Sequence, residues 1–174
     1  MGARDVVALL DALEDRGIDV WLDGGWGVDA LLGRQTRPHD DLDVITPLHD
    51  VPKVQASLEQ LGYSLVGGGP PMSFEMTDGE GRQVDVHPVV FDERGDGVYR
   101  NRDGTEWPYP ARGFAGAGSV LGRRVRCLTP EVQVLCHAGY DLDADDVRDL
   151  EALRDRFDVE LPEPLLSKHL GWQS

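Results

Sequence analysis

Cysteine is scarce in this sequence. Cys127 and Cys136 are the only two in 174 residues, without the even framework of a small secreted scaffold or the paired spacing of a zinc site. Both are expected as reduced, buried thiols. Positive charge is also short: 17 Lys plus Arg stand against 32 Asp plus Glu, a formal charge of −15. Such a surface repels a phosphate backbone, so no polynucleotide partner is expected. The same field draws in a small cation from a distance, besides serving solubility. Long apolar runs are missing as well. The stretch Val6–Leu10 is too short, and its surroundings too acidic, for an export signal. Nothing approaches the roughly 18 residues of a membrane span. No membrane partner is expected, and the cytoplasm is the expected location.

What is present suits a packed domain, since 40% of residues are apolar and 28% charged. Val6, Val7, Leu10 and Leu13 repeat at helical spacing up to Gly17. Ile18–Leu22 reads as a strand entering Gly24-Gly25, and Trp26–Leu32 as a short helix closed by Gly33. Asp41–Thr46 reads as a strand, Asp50–Leu61 as a helix with Pro52 in its first turn, and Gln83–Val90 as a firm strand. Weaker strands flank the turn at residues 67–71. Residues 92–118, rich in Gly, Pro and aromatics, are expected as long loops and short strands, and Arg124–Leu128 as an edge strand. Thr129-Pro130-Glu131 opens a helix reaching about Tyr140, and Asp143 or Asp145 caps a last amphipathic helix through Phe157. This order predicts an α/β (α+β) fold, a mixed β-sheet with packed helices that is not doubly wound. Residues 1–92 would form a catalytic core. Residues 93–174 would supply acceptor-binding loops and C-terminal helices in the same unit.

Aspartate is depleted in strands, yet two apolar strands carry three. Side chains alternate along a strand, so Asp41 and Asp43 share a face, as do Gln83, Asp85 and His87. If the strands are neighbours, three carboxylates converge. They would repel one another and raise their pKa values unless a cation sits among them. Open sets of hard oxygens suit Mg²⁺, and a two-ion site suits in-line phosphoryl displacement. Upstream, paired glycines between a strand and a helix offer free N–H groups and a positive dipole end to an anion. A solvated acidic strand is the competing interpretation of the aspartate pair. Gly25, Gly27 and Ala30 also fit a dinucleotide-binding turn, but Gly33 stops the helix too soon and Asp41 and Asp85 are left without a purpose. Asp141, Asp143 and Asp145 imitate a calcium loop but lack its sixth-position Gly and twelfth-position Glu.

Three stretches together, Val20–Asp29, Arg34–Asp43 and Val84–Pro88, resemble the antibiotic nucleotidyltransferases of the polymerase-β-like superfamily. The likeness is greatest to the small lincosamide enzymes, followed by the aminoglycoside 2″-nucleotidyltransferases. It spans about residues 5–157, including the helix stretch Glu131–Asp141. The resemblance implies a nucleotidyltransferase fold with C-terminal helices. It also implies ATP or another NTP as co-substrate, two Mg²⁺ ions, and transfer of a nucleoside monophosphate to a hydroxyl of a small cationic antibiotic. Asp41, Asp43 and Asp85 would be metal ligands and catalytic residues, with Asp85 also general base. Gly24 and Gly25 would contact the phosphates. Trp26 stands where the superfamily often has a phosphate-gripping Ser, so Arg37 or His39 would supply side-chain contacts, the competing readings being an ordinary surface cation for Arg37 and a loop hydrogen-bonding residue for His39. Trp107 and Tyr109, with Tyr140, would contact the acceptor, aromatic faces lying near its protonated amine. His137 is expected in the core, and Asp23 as a cap or turn acid. A homodimer is compatible with so small a domain. An aminoglycoside acceptor is the alternative of the same class. A non-enzymatic antitoxin or nucleotide-binding module is the alternative of another.

Overall fold

Buried Val6, Leu9, Leu10 and Leu13 wind helix α1 (Ala3–Glu14), which Gly17 follows in the left-handed region. Strand β1 is just Trp21–Leu22, followed at once by α2 (Gly24–Leu32), which starts two residues earlier than expected. The Asp23 side chain, accepting from the Gly24 N–H, makes that early start possible. Gly33 closes α2 at φ 69°. The chain continues through β2 (Asp43–Pro47), α3 (Val51–Gln60), β3 (Ser64–Gly68), β4 (Phe74–Thr77) and β5 (Gln83–Phe91). Next come β6 (Gly97–Arg100), β7 (Glu106–Tyr109), β8 (Ala117–Val120), β9 (Arg123–Arg126), α4 (Pro130–Cys136) and α5 (Ala144–Phe157). This computed structural model describes residues 1–101 and 103–161. The expected region 93–174 therefore lies partly outside the described residues.

The main sheet is mixed, as expected, with a path β1-β2-β5-β4-β3 extended by β6 and β7. Strands β2 and β5 are parallel and the other pairs in this sheet antiparallel. The antiparallel pairing of β1 with β2 disposes of the dinucleotide-binding alternative, which needs parallel strands joined by a helical crossover. The expected edge strand near Arg124 belongs instead to a separate β8–β9 hairpin. There Arg123 pairs with Asp11 and Glu14 of α1, and Arg126 with Asp19. The expected helix to Tyr140 stops at Cys136, tightens into a 3₁₀ turn over His137–Gly139, and gives way to an extended Tyr140.

The two sheet faces serve different ends. Val44, Val84 and Val86, with Phe74 and Met76, pack under Leu9, Leu10 and Leu58 of α1 and α3. Each such fully buried side chain contributes about 2 kcal/mol. On the opposite face Ile45 and Val89 pack with Trp21, Tyr109 and Val132 of α4. That cover is partial, and Asp43 and His87 line a cavity beside it. Cys127 is buried and Cys136 half-buried, both free. Among the described residues, no helix is long and apolar enough to cross a membrane.

Candidate active site

Asp43 begins β2 and is the register partner of Asp85 in β5. Both carboxylates therefore leave the sheet on the same side. Strand β2 starts at Asp43 rather than Asp41. The pairing nonetheless reaches one residue back, through Leu42 N–H to the Gln83 carbonyl and Asp85 N–H to the Leu42 carbonyl. Asp41, half-buried, lies just before it. The three acids feel one another. Burial, then the charges of Asp43 and Asp41, push the Asp85 carboxyl up to about 6, against a hydrogen bond from Gln83 Nε2 at 2.8 Å. Burial and Asp43 likewise raise Asp41. The His87 imidazole is raised despite its burial, because Nε2 lies 3.1 Å from Asp43 Oδ1.

The glycines are dictated by what surrounds them. Gly24 has φ 54°, and a Cβ there would lie 2.3 Å from Asp43 Oδ2. A Cβ on Gly25 would lie 2.5 Å from His39 Nδ1 and 2.8 Å from Arg37 Nη2. His39 thus sits behind Gly25 and away from the cavity wall. It is 5% exposed, with Nε2 2.5 Å from Asp29 and its ring against Trp26. Arg37 reaches the cavity but is tied to Asp149 at 2.8 Å and Asp145 at 3.7 Å, both from α5.

Two cavities meet here. The first, about 290 Å³, is polar and is lined by Gly24, Gly25, Arg37, Asp41 and Asp43, with Asp143, Asp145, Asp146 and Asp149 opposite. Arg37 is the one Lys or Arg among its described lining residues. An anionic ligand would therefore need a cation to accompany it. The second, about 450 Å³, is walled by Tyr99, Trp107 and Tyr109 of the β6–β7 hairpin, with Asp23, Cys136 and His137. Gly24, Asp43, His137 and Tyr140 line both. Among the described residues no group of three or more His, Cys, Asp or Glu is gathered so as to hold a metal ion. The chemistry of the donors nevertheless suits a hard divalent cation. They are carboxylate oxygens that raise one another's pKa, a strain that a bound cation reverses.

Sequence reasoning missed Tyr99 and Asn101, which lie in a stretch without clear periodicity, and favoured a core role for His137. His137 is indeed buried, and it also borders both cavities. Phe114 packs against Trp21 and Phe91. Asp23 is the helix cap expected of it, and it lines the aromatic cavity too.

The profile of the family described as Aminoglycoside-2″-adenylyltransferase matches residues 5–153. The chain belongs to this family. It is 32% identical over 151 residues to a lincosamide resistance protein of Staphylococcus haemolyticus, covering 87% of this chain and 93% of that one. It is also 32% identical to a 2″-aminoglycoside nucleotidyltransferase of Klebsiella pneumoniae, over 68% of this chain and 63% of the relative. The crystal structure of the lincomycin-bound lincosamide antibiotic adenylyltransferase LnuA superposes with TM-score 0.79 and 31% identity, covering 88% of this chain and 97% of that one. A tobramycin-adduct structure of ANT(2″)-Ia, 22% identical, shares the fold at TM-score 0.75, covering 98% and 97%. Membership makes the protein an antibiotic nucleotidyltransferase with a nucleotidyltransferase fold, and sets aside the non-enzymatic alternative.

Proposed function

We propose that this enzyme transfers AMP from ATP to a hydroxyl of a small cationic antibiotic, a lincosamide in preference to an aminoglycoside. The observation that carries this reading is the junction of the two cavities at Asp43 and Gly24. A donor phosphate in the polar cavity and an acceptor hydroxyl in the aromatic one would meet at Asp43, whose register partner is Asp85.

Gly24 and Gly25 hold the phosphates at the α2 N-terminus, with no side chain to keep them off. Arg37 adds a positive contact, and His39 supports Gly25 from behind. Asp41, Asp43 and Asp85 would hold two Mg²⁺ ions, whose charge, when bound, offsets that developing on the transferred group. Asp85 receives the proton of the acceptor hydroxyl as its oxygen bonds to the α-phosphorus and pyrophosphate leaves. Trp107, Tyr109 and Tyr140 position the acceptor. In this division residues 1–92 carry the nucleotide chemistry, and most of the acceptor cavity's wall comes from the chain after residue 93.

The 31% identity to lincomycin-bound LnuA, across nearly the whole of that chain, favours the lincosamide. The aminoglycoside description of the matching family keeps the second acceptor in view. Net charge of −15 argues against a polynucleotide acceptor. We place the reaction in the cytoplasm, where ATP is supplied. A homodimer is compatible with this reading but not needed for it. The test is incubation of the protein with Mg²⁺ and α-labelled ATP against a panel including lincomycin and tobramycin. Label on lincomycin is the expected result. Label on tobramycin alone would move the enzyme to the second acceptor class, and label on no compound of the panel would refute the reading.

A further inference from the structure

The acceptor cavity contains a buried carboxylate, Asp23, that lies outside the proposed metal-ligand set. We infer that Asp23 is the counter-ion for a protonated amine of the acceptor, so that the aromatic cavity selects cationic hydroxyl compounds over neutral ones. This deepens the reading given under Proposed function and rests on it.

Asp23 is 7% exposed and lines the cavity of about 450 Å³. One oxygen accepts from the Gly24 N–H at 2.9 Å, which fixes the carboxylate by its helix cap. No Lys or Arg is among the described residues lining this cavity. Of its two histidines, His87 lies against Asp43, and His137 is bonded to the Gln133 carbonyl and stands 3.7 Å from Asp146. The Asp23 N–H donates to the Asp43 carbonyl at 3.1 Å, which holds the carboxylate in place beside the end of β2. That charge faces the cavity. After burial, it is the largest influence raising both the Tyr109 hydroxyl and the Cys136 thiol. Tyr99, Trp107 and Tyr109 supply aromatic surface beside it, so an ammonium finds a carboxylate and ring faces in one enclosure. A helix cap alone needs no charge, because Asn caps as well as Asp. The buried charge is the feature left unexplained by capping.

The test compares lincomycin, whose ring nitrogen is protonated near neutral pH, with an N-acylated analogue in which that nitrogen is neutral. Direct binding is measured by calorimetry without nucleotide, and transfer by labelled ATP. Asp23→Asn keeps the cap and removes the charge. The wild-type protein is expected to bind the amine tenfold to a hundredfold more tightly than the analogue, the range of a charge-assisted contact. Asp23→Asn is expected to abolish that preference, through KM for the amine more than through kcat. A wild type that binds both compounds equally, or a variant that keeps the full preference, would overturn the inference. If wild type and variant differ in binding as stated but no label is transferred, the proposed reaction fails while the counter-ion assignment stands. A variant with altered thermal stability is replaced by Asp23→Ser, which also caps without charge.

Discussion

Asp43 and Asp85 are paired across two parallel strands, one residue opposite the other, with their carboxylates on the sheet face that α1 and α3 leave uncovered. No turn or loop intervenes to set their separation. It follows from backbone register, so the pair is as rigid as the sheet. A rigid pair of like charges is a poor structural element and a good ligand set.

Replacing either acid of the β2 end is therefore expected to cost activity and not fold. Asp41→Asn and Asp43→Asn should each lower kcat on the order of a hundredfold to a thousandfold. Melting temperatures should stay at or above that of the wild type. Near-normal turnover in either variant would remove the metal-ligand assignment.

Asp85 leads to a pH dependence whose sign can be worked out. Its folded value, about 6, lies above the unfolded value of 3.8. Between these two the native state holds more protons than the unfolded one, so stability falls as pH rises from about 4 to 6. In chelator, Asp85→Asn should therefore be more stable than wild type at pH 7, by about 1 kcal/mol once solvent screening is allowed for. The gain should fade as pH is lowered through 6 toward 4. Urea melts at several pH values measure it, and a gain that grows on acidification would contradict the assignment.

Gly24→Ala joins two costs. The left-handed backbone at φ 54° strains any other residue, and the new methyl would meet Asp43 Oδ2 at 2.3 Å. A loss of about 1–3 kcal/mol is expected. Transfer should fall with it, because the clash is with the Asp43 carboxylate itself. Thermal unfolding and kcat/KM, taken together, check both.

The Arg37–Asp149 pair separates stability from substrate binding. Asp149 is nearly enclosed, with a side-chain exposure of 4%, so Arg37→Met should cost about 2 kcal/mol by stranding its charge. Arg37→Met with Asp149→Leu should regain most of that stability. If Arg37 contacts the nucleotide, KM for ATP stays elevated in the double variant. If it is purely a brace, KM returns to the wild-type value.

Much of this site was readable before any coordinates, for a specific reason. Asp41, Asp43 and Asp85 break strong apolar alternation, and a residue that contradicts its own element advertises a purpose. The parallel register of β2 and β5 was not readable, because it depends on which strand slides against which. His39 could be read either toward the phosphates or as a loop hydrogen-bonding residue, and local sequence does not reveal that it turns inward to Asp29. The β6–β7 hairpin hid among Gly and Pro residues, where Pro108 interrupts the strand pattern. Tyr99 was lost with it. Asp23 was legible as a cap because its neighbours define it, whereas its second face became visible only once distant aromatics closed around it.

The β6–β7 hairpin joins the sheet through Val89, Val90 and Phe91, beyond the part of β5 that bears Asp85 and His87. Under the proposed function, the aromatic wall and the carboxylates are thus mounted on different stretches of backbone. Variation around Tyr99, Trp107 and Tyr109 would then redraw which drugs are accepted and leave the apparatus that breaks the anhydride bond unchanged.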